Sequence, residues 1–336
     1  MRALARYATR CCILGLALLL VLGGSTAAPG TFPGTNGPIV FDGIDNNTHT
    51  IQIWRMVANG TGITQITSTT GAVYNECPSV SANGQQIYVD SFNRASLKSP
   101  SLVYRMNLDG TGRQVADSKR GNPTHLCPSI GPGGAKIAAM QYPKGGGGSV
   151  IIRMNANGTG RQTLARAGRN QSDYGPTYSP NGKQILFNRV TYKPHGGFVS
   201  ADLLISNGRG RPNNITANDH QRYFTPSWSP NGQAIVASRG VNASQIVRMN
   251  PDGSDVQVLY TPQSGIEVSN PNYSPDGTKI AFFACRGECG DPLTPDTGVG
   301  AIWVMNADGS NPNPILVQSA TTFPLVGALV WATAAS

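Results

Sequence analysis

A short phrase built around a tight turn recurs six times along this chain and constrains its fold more than any other feature. Each copy joins an apolar strand to a polar one, as in YRMNLDGTG from Tyr104 and WVMNADGSN from Trp303. The turn is always Asn-Gly or Asp-Gly, the dipeptides that two-residue β-hairpin turns prefer. These turns begin at Asn59, Asp109, Asn157, Asn207, Asp252 and Asp308, at intervals of 45 to 56 residues. Repetition at this period predicts an array of hairpin units.

A second phrase alternates with the first and supplies another hairpin in each period. Its clearest copies are SPNGKQILFN from Ser179 and SPDGTKIAFF from Ser274. Its turns are marked by Asn36, Asn83, Gly133, Asn181, Asn231 and Asp276, at intervals of 45 to 50 residues. Two hairpins per period give four strands, which is the content of one β-propeller blade. We therefore predict an all-β fold, a six-bladed β-propeller with four antiparallel strands in each blade.

The two ends of the repeat region predict how the ring closes. The first repeat begins at a second strand, PIVFD from Pro38, and the last segment, PLVGALVWA from Pro324, has the pattern of an inner strand. We expect this C-terminal strand to complete the first blade, which would remove the exposed edges of an open sheet. The high content of glycine (41) and proline (24), with only 13% charged residues, also favours turn-rich β structure.

The N-terminal residues have the pattern of a secretory signal peptide. Arg2, Arg6 and Arg10 precede an apolar run over 13–22 and a stretch of small residues that suits cleavage after Ala27. The apolar run is about half of the roughly 20 residues that a membrane-spanning helix needs. We predict a signal peptide over 1–27 and a single propeller domain over 28–336, with no transmembrane segment once the leader is removed. The predicted location is the periplasm or the outside of the cell.

The charge of the chain is weakly informative about its ligand. Loss of residues 1–27 removes three arginines and no acidic residue, which changes the net charge from +9 to +6. A balance of this size suits a solvated basic surface or an anionic partner. Because export separates the protein from intracellular nucleic acid, we expect no nucleic-acid partner.

Four cysteines remain after the leader. Cys285 and Cys289 are close enough in sequence to close a loop, whereas Cys77 and Cys127 occupy equivalent places in adjacent repeats (ECPSV and LCPSI). Exported proteins retain disulfides, but four cysteines allow three pairings and the sequence does not choose among them. No second Cys or His pair at ligand spacing supports a zinc site. We therefore predict disulfides, no metal and no cofactor.

The phrases YSPDGTKIAF from Tyr273 and IWVMNADGSNP from Ile302 resemble the repeats of the TolB-like propeller family. The resemblance extends from Thr35 to Ala332 and rests on motifs that recur in a fixed order. It implies a six-bladed propeller in the periplasm or outside the cell that binds another protein. We expect the propeller alone, without the α/β domain that precedes it in TolB, because the leader runs almost directly into the first repeat.

The geometry of a blade sorts its loops into two groups. The tight turns lie at one face, and their Pro, Asp, Asn and Gly residues are those that turns require. The loops of the opposite face differ in length and content, and binding residues are concentrated on such loops. The candidate partner-binding residues there are Phe92, Arg94, Lys98, Tyr142, Lys144, Tyr192, Lys193, His195, Phe198 and Arg286.

The connections between blades should ring the mouth of the central channel on the same face. We expect these loops to supply Glu76, His125, Asp173, Arg222, Tyr223 and Glu267. If the protein is an enzyme, the best candidates for catalysis are Glu76, His125 and Asp173. Of four histidines, only His125 and His220 fall in such loops, so a three-histidine metal site is hard to assemble. There is no GxSxG, HExxH or phosphate-binding motif.

These observations favour an exported, non-enzymatic scaffold that binds a protein partner, in the cell envelope or outside the cell, through its variable loops. Two alternatives remain open at this point. One is a lectin-like propeller that binds cell-wall carbohydrate or another polysaccharide. The other is a metal-dependent lyase or hydrolase with its site at the channel mouth.

Overall fold

The chain forms a ring of six antiparallel four-stranded sheets, which confirms the predicted six-bladed β-propeller. The computed structural model describes residues 30–93, 95, 101–116, 125–143, 148–194, 196–241, 243–286, 299–317 and 325–335. The predicted leader lies outside this range. Within the described residues, no helix is long and apolar enough to cross a membrane.

The strands follow one another in chain order, four to a blade, except that the last strand belongs to the first blade. The strands of blades 1 to 3 are β1 (Asn36–Asp45), β2 (Thr50–Met56), β3 (Thr64–Gln65), β4 (Val73–Val80), β5 (Gln86–Asn93), β6 (Leu102–Asn107), β7 (Gln114–Val115), β8 (His125–Ile130), β9 (Lys136–Gln141), β10 (Val150–Asn155) and β11 (Gln162–Arg166). Those of blades 4 to 6 are β12 (Gln171–Tyr178), β13 (Ile185–Tyr192), β14 (Phe198–Ser206), β15 (Asn213–Asn214), β16 (Tyr223–Trp228), β17 (Ile235–Arg239), β18 (Gln245–Met249), β19 (Gln257–Tyr260), β20 (Ile266–Tyr273), β21 (Lys279–Arg286), β22 (Val299–Asn306) and β23 (Asn313–Val317). Blade 1 is completed by β24 (Leu325–Thr333).

The tight turns have the structural role that their composition predicts. In the turn between β12 and β13, the Ser179 hydroxyl accepts the Gln184 amide at 3.0 Å, and Gly182 has a φ of +70°. In the turn between β6 and β7, Asp109 accepts both the amide and the hydroxyl of Thr111, at 2.9 and 2.7 Å. Asn157 accepts the equivalent pair from Thr159. The repeated residues therefore close hairpins by local hydrogen bonds.

The glycines of these turns also hold neighbouring blades together. A Cβ atom on Gly110 would lie 2.3 Å from the Ile66 carbonyl oxygen in the adjacent blade, and one on Gly253 would lie 1.8 Å from the Ile215 carbonyl oxygen. Both glycines have φ near +87° to +88°, a conformation that other residues adopt at a cost. The repeated glycine is thus required twice, by the turn and by the contact between blades.

The ring closes as the sequence predicts. The C-terminal strand β24 pairs antiparallel with β1, with Trp331 opposite Ile39 and Leu329 opposite Phe41. These four side chains are buried in a cluster that joins blade 1 to blade 6. Each fully buried residue of this size contributes about 1.5–3 kcal/mol, so closure stabilises both ends of the chain.

Residues 30–34 lie across the tight-turn end of the central channel. The Thr31 hydroxyl hydrogen-bonds to the Tyr273 carbonyl of blade 6 at 3.0 Å. Phe32 is buried in a cluster with Tyr88 of blade 2 and Ile130 of blade 3. These contacts are on different sides of the ring, so the segment obstructs the channel at this end.

Candidate functional site

The six predicted channel residues lie on or beside the inner strands. We expected them in the loops between blades, and that placement was wrong for all of them except Arg222. The inner strands begin several residues before their prolines, because the chain pairs with the second strand on both sides of a β-bulge. The positions are Glu76 in β4, His125 at the start of β8, Asp173 in β12, Arg222 just before β16, Tyr223 at its start and Glu267 in β20.

The bulge places a residue with left-handed backbone immediately before proline in blades 2 to 6. The residues are Cys77, Cys127, Gly175, Thr225 and Asn270, with φ between 45° and 57°. Proline restricts the residue before it to extended conformations, and positive φ is unfavourable for a β-branched residue such as Thr225. Strain of this kind persists where the surrounding structure imposes it, and it clusters at functional sites. The five residues with left-handed backbone mark the variable-loop half of the channel wall.

Asp42, which we did not predict from the sequence, accepts hydrogen bonds from backbone amides at this bulge. It is fully buried near the end of β1, and its carboxylate accepts the Ala328 amide at 2.8 Å and the Cys77 amide at 3.3 Å. The two donors belong to the inner strands of blades 1 and 2. A buried carboxylate therefore links two blades through backbone amides, which compensate its loss of hydration.

Asp90 occupies the equivalent position in blade 2 but lacks such compensation. It is 0% exposed, and neither carboxylate oxygen has a hydrogen-bond partner of normal geometry. Burial and the nearby carboxylates of Glu76 and Asp42 raise its pKa well above the usual range, although the Cys127 amide acts in the opposite direction. Glu76 is its direct partner in the strand register. Three acidic side chains therefore lie close together where blades 1 and 2 meet.

The predicted catalytic residue Asp173 is held in an ion pair. Arg189 donates to its two carboxylate oxygens at 2.6 and 2.7 Å. Asp173 is buried, which raises its pKa, while the Arg189 guanidinium lowers it. The Ser149 hydroxyl binds the backbone of Asp173 on the neighbouring blade. This fully engaged carboxylate is suited to a structural role.

Two of the three candidate catalytic residues have side chains that the structure describes. Glu76 and Asp173 belong to blades 2 and 4. Among the described residues, the one close group of three potential metal ligands is Cys77, Asp90 and Cys127, which includes neither acid. The side chain of His125 lies outside the described part of the structure.

At the other channel positions, apolar packing and burial dominate. Burial raises the pKa of Glu267, and burial and the Asp219 carboxylate raise that of Tyr223 to about 12. The Tyr223 hydroxyl donates to Asp219. Arg222 extends toward the variable loops, with its guanidinium 4.2 Å from the centroid of the Phe198 ring.

Several predicted partner-binding residues contribute to the core as well as to the surface. Tyr142, Tyr192 and Phe198 are half-buried and pack against the hydrophobic cluster shared by blades 3 to 5. The Tyr192 and Tyr174 hydroxyls are 3.2 Å apart, and burial raises the pKa of Tyr192. Phe92 stacks on Tyr74 with 5.5 Å between ring centroids. Their aromatic character therefore has a structural cause in addition to any binding role.

The remaining predicted residues divide into two groups. Lys193 and Arg286 are exposed. Arg94, Lys98, Lys144, His195 and Cys289 lie outside the described residues.

Two exposed valines on the variable-loop face were not singled out by the sequence. Val199, which follows Phe198 at the start of β14, is 49% exposed, and Val241 between β17 and β18 is 63% exposed. Phe198 and Ala243 pack on the same cluster, which brings the two loops to one region. We define Phe198, Val199, Arg222 and Val241 as the blade 4–5 patch. A lone valine in a loop carries no sequence signal, so this grouping required the fold.

The cysteines are now partly assigned. Cys77 and Cys127 form a disulfide between the inner strands of blades 2 and 3, one of the pairings that the sequence left open. Cys285 is also disulfide-bonded. Its expected partner, Cys289, falls outside the described residues.

No family model and no curated protein matches this sequence. Among solved structures, the chain is similar to TolB from Acinetobacter baumannii, with 17% identity and a TM-score of 0.65 over 91% of this chain and 68% of that one. It is equally similar to hydrazine synthase from Kuenenia stuttgartiensis, with 13% identity and a TM-score of 0.65 over 89% of this chain and 47% of that one. Oligogalacturonate lyase from Vibrio parahaemolyticus aligns with 12% identity and a TM-score of 0.54, over 90% and 81% of the two chains.

These likenesses define the class of protein as a six-bladed β-propeller. The predicted resemblance to TolB-like propellers is confirmed at the level of the fold. Since a lyase has the same fold, the function must be argued from the residues of the site.

Proposed function

We propose that this protein is an exported, non-enzymatic binding module that receives a protein partner on its variable-loop face. The observation that carries the proposal is the blade 4–5 patch, where two exposed valines lie on the same group of loops as an aromatic ring covered by an arginine. Apolar side chains beside aromatic and arginine residues are typical of the energetically important part of a protein interface.

The two ends of the channel support this choice of face. Residues 30–34 obstruct the tight-turn end, so a segment of a partner would approach the inner strands from the variable-loop end. The tight-turn face repeats the same residues six times. The variable-loop face has different residues in each blade, which suits recognition of one partner.

The absence of catalysis is part of the proposal and rests on the environment of the candidate acids. A general acid or base must exchange a proton with a substrate, whereas Asp173 has both oxygens engaged by Arg189. The resemblance of the repeats to TolB-like propellers favours a protein ligand in the periplasm or outside the cell. We therefore propose that location for this chain.

The experiment compares affinity capture by the mature protein and by variants that change only exposed side chains. Val199→Asp, Val241→Asp and Lys193→Glu alter the proposed face without removing the half-buried Tyr192 or Phe198. We expect the triple variant to lose a partner that the unchanged protein recovers from envelope and culture fractions of the producing cell.

A matched control makes the same valine-to-aspartate changes away from the variable-loop face, toward the opposite end of the propeller. Val57, which is 53% exposed, lies at the tight turn of blade 1, and Val115, which is 39% exposed, lies in β7, the outer strand that follows the tight turn of blade 2. Val57→Asp with Val115→Asp should leave capture unchanged. Equal recovery of every partner by both variants would remove the assignment of the face. Retention of a glycan by the unchanged protein, with no captured protein, would favour the carbohydrate-binding alternative.

A further inference from the structure

The wall between blades 2 and 3 contains a compact group of metal-binding residue types. The sulfur atoms of Cys77 and Cys127 and a carboxylate oxygen of Asp90 all lie within 4.8 Å of one another. It is the one group of this kind that the described part of the chain forms. The two sulfurs are joined as a disulfide, with a Cα–Cα distance of 4.9 Å.

The repeat explains why these three residues meet. Cys77 and Cys127 occupy the same bulge position on neighbouring inner strands, each with left-handed backbone before a proline. Asp90 lies near the end of β5 at the place that Asp42 holds in blade 1. Asp42 receives amides from the bulges of blades 1 and 2, so the equivalent carboxylate in blade 2 faces the bulges that carry the two cysteines.

A second observation independently points to a ligand for this group. Asp90 is fully buried and neither oxygen has a hydrogen-bond partner of normal geometry, although the amides of Asp90 itself and of Cys127 lower its pKa, whereas the equivalent Asp42 accepts two backbone amides. The Cys77 amide is bonded to Asp42. A buried carboxylate without partners is costly, and coordination of a cation is one of the few ways to stabilise its charged form.

We propose that Cys77, Cys127 and Asp90 form a redox-gated site for a thiophilic divalent metal, best suited to Zn²⁺. In the oxidised protein the disulfide withholds both sulfur ligands. An external dithiol supplies two electrons and two protons, becomes a disulfide itself, and leaves two protein thiols. Metal binding then displaces the thiol protons, and the two thiolates and the Asp90 carboxylate bind the ion.

The donor set and its access fit this role. Two thiolates with one carboxylate give three protein ligands, and zinc completes a tetrahedral site with water in such cases. Calcium and magnesium are disfavoured because they require mainly oxygen ligands. Cys77 and Asp90 are buried, but Cys127 is half-buried, so a reductant and a metal ion reach the group from the Cys127 side.

The test measures zinc binding by the same mature protein in two redox states. Zinc is titrated against a chromophoric chelator, with disulfide-intact protein and with protein reduced by excess dithiol that is then removed under anaerobic conditions. We expect about one equivalent of zinc bound by the reduced form and none by the oxidised form. Cobalt added to the reduced form should give thiolate-to-metal charge-transfer bands.

Four variants separate this site from others. Asp90→Asn should weaken binding by the reduced protein at least about tenfold, and Cys77→Ser with Cys127→Ser should abolish it. Glu267→Gln changes an acid on the inner strand of blade 6, in a different part of the ring from the disulfide, and should leave zinc affinity unchanged. Cys285→Ser should also leave one equivalent bound, which excludes the second disulfide as the source of ligands.

Circular dichroism and thermal unfolding keep the result interpretable if reduction disturbs the fold. Zinc should then raise the melting temperature of the reduced protein and restore its β signal, because a ligand that binds only the native state stabilises it. Binding of zinc by the oxidised protein with equal affinity would overturn the proposal. So would a reduced protein that takes up no zinc, or uptake that Asp90→Asn leaves unchanged.

Discussion

The two ends of the strands differ in how similar their residues are from blade to blade. At the tight-turn end, Asp109, Asn157 and their counterparts make the same hydrogen bonds in blade after blade. At the variable-loop end, the second strands place different residues at one equivalent position: Asp42, Asp90, Met140, Asn188, Ser238 and Phe283. One end therefore builds the ring, and the other provides a wall whose chemistry changes from blade to blade.

Asp42 and Asp90 differ in their hydrogen bonds although they occupy equivalent positions. The two carboxylates occupy the same place in adjacent blades, yet one has two amide donors and the other has none of normal geometry. The repeat fixes where a side chain lies, while its neighbours decide whether its charge is compensated.

The largest effect should come from adding a methyl group at the tight-turn end. Gly253→Ala places a Cβ atom 1.8 Å from the Ile215 carbonyl oxygen of the preceding blade, at a φ of +87°. We expect it to lower the free energy of unfolding by about 4 kcal/mol or to prevent folding.

The matched control is Gly71→Ala at the variable-loop end, where φ is +73° and no atom lies within 4 Å. It should cost about 1–2 kcal/mol, from backbone strain alone. Denaturant titration measures both, and equal losses would contradict the proposed contact between blades.

The next largest effect should come from breaking the ion pair of blade 4. Arg189→Met leaves the Asp173 carboxylate buried without its partner, and we expect a loss of about 3 kcal/mol. The double change Arg189→Met with Asp173→Asn should recover part of this loss, since no charge remains buried. If Arg189→Met alone leaves stability unchanged, Asp173 is not held as described and its catalytic role should be reconsidered.

A smaller effect concerns the acid stability of the tight turns. Hydrogen bonds from Thr111, Ser254 and Ser310 lower the pKa values of Asp109, Asp252 and Asp308 below their usual range. A carboxylate with a lowered folded-state pKa stabilises the protein above its unfolded pKa, near 3.8, and this contribution disappears as the pH falls through the folded value.

Replacing the three aspartates by asparagine should reduce the fall in melting temperature between about pH 6 and about pH 3. Asn157 already accepts the same hydrogen bonds from Thr159 at an equivalent turn, so stability near neutral pH should change little. Calorimetry across this pH range provides the measurement. An unchanged pH profile would show that other carboxylates control acid unfolding.

The sequence was sufficient for the architecture because the turns are local. Asn-Gly and Asp-Gly require a hairpin wherever they occur between strands, and their period gave six blades and the closing role of β24. The starts of the inner strands were missed for a physical reason. From the sequence, Pro176 is expected to be the first residue of the inner strand of blade 4. In the structure, the bulge at Gly175 allows Pro176 to lie within β12.

The candidate site was less predictable because it depends on contacts between blades. An acid at Asp90 is visible in the sequence, and comparison of the repeats would have singled it out. Its lack of hydrogen-bond partners of normal geometry is not visible, because it depends on where the backbone amides of neighbouring strands lie. The exposure of Val199 and Val241 likewise follows from the fold.

The most direct test of the central claim is site-specific photo-crosslinking from both ends of the propeller in the producing cell. A photoreactive phenylalanine derivative would replace Val199 or Val241 on the variable-loop face, and Val57 at a tight turn or Val115 in the outer strand that follows one. We predict a discrete crosslinked protein from Val199 or Val241 and none from Val57 or Val115. Crosslinks only from the tight-turn positions, or no crosslinked protein from any of the four, would contradict the assignment of the binding face.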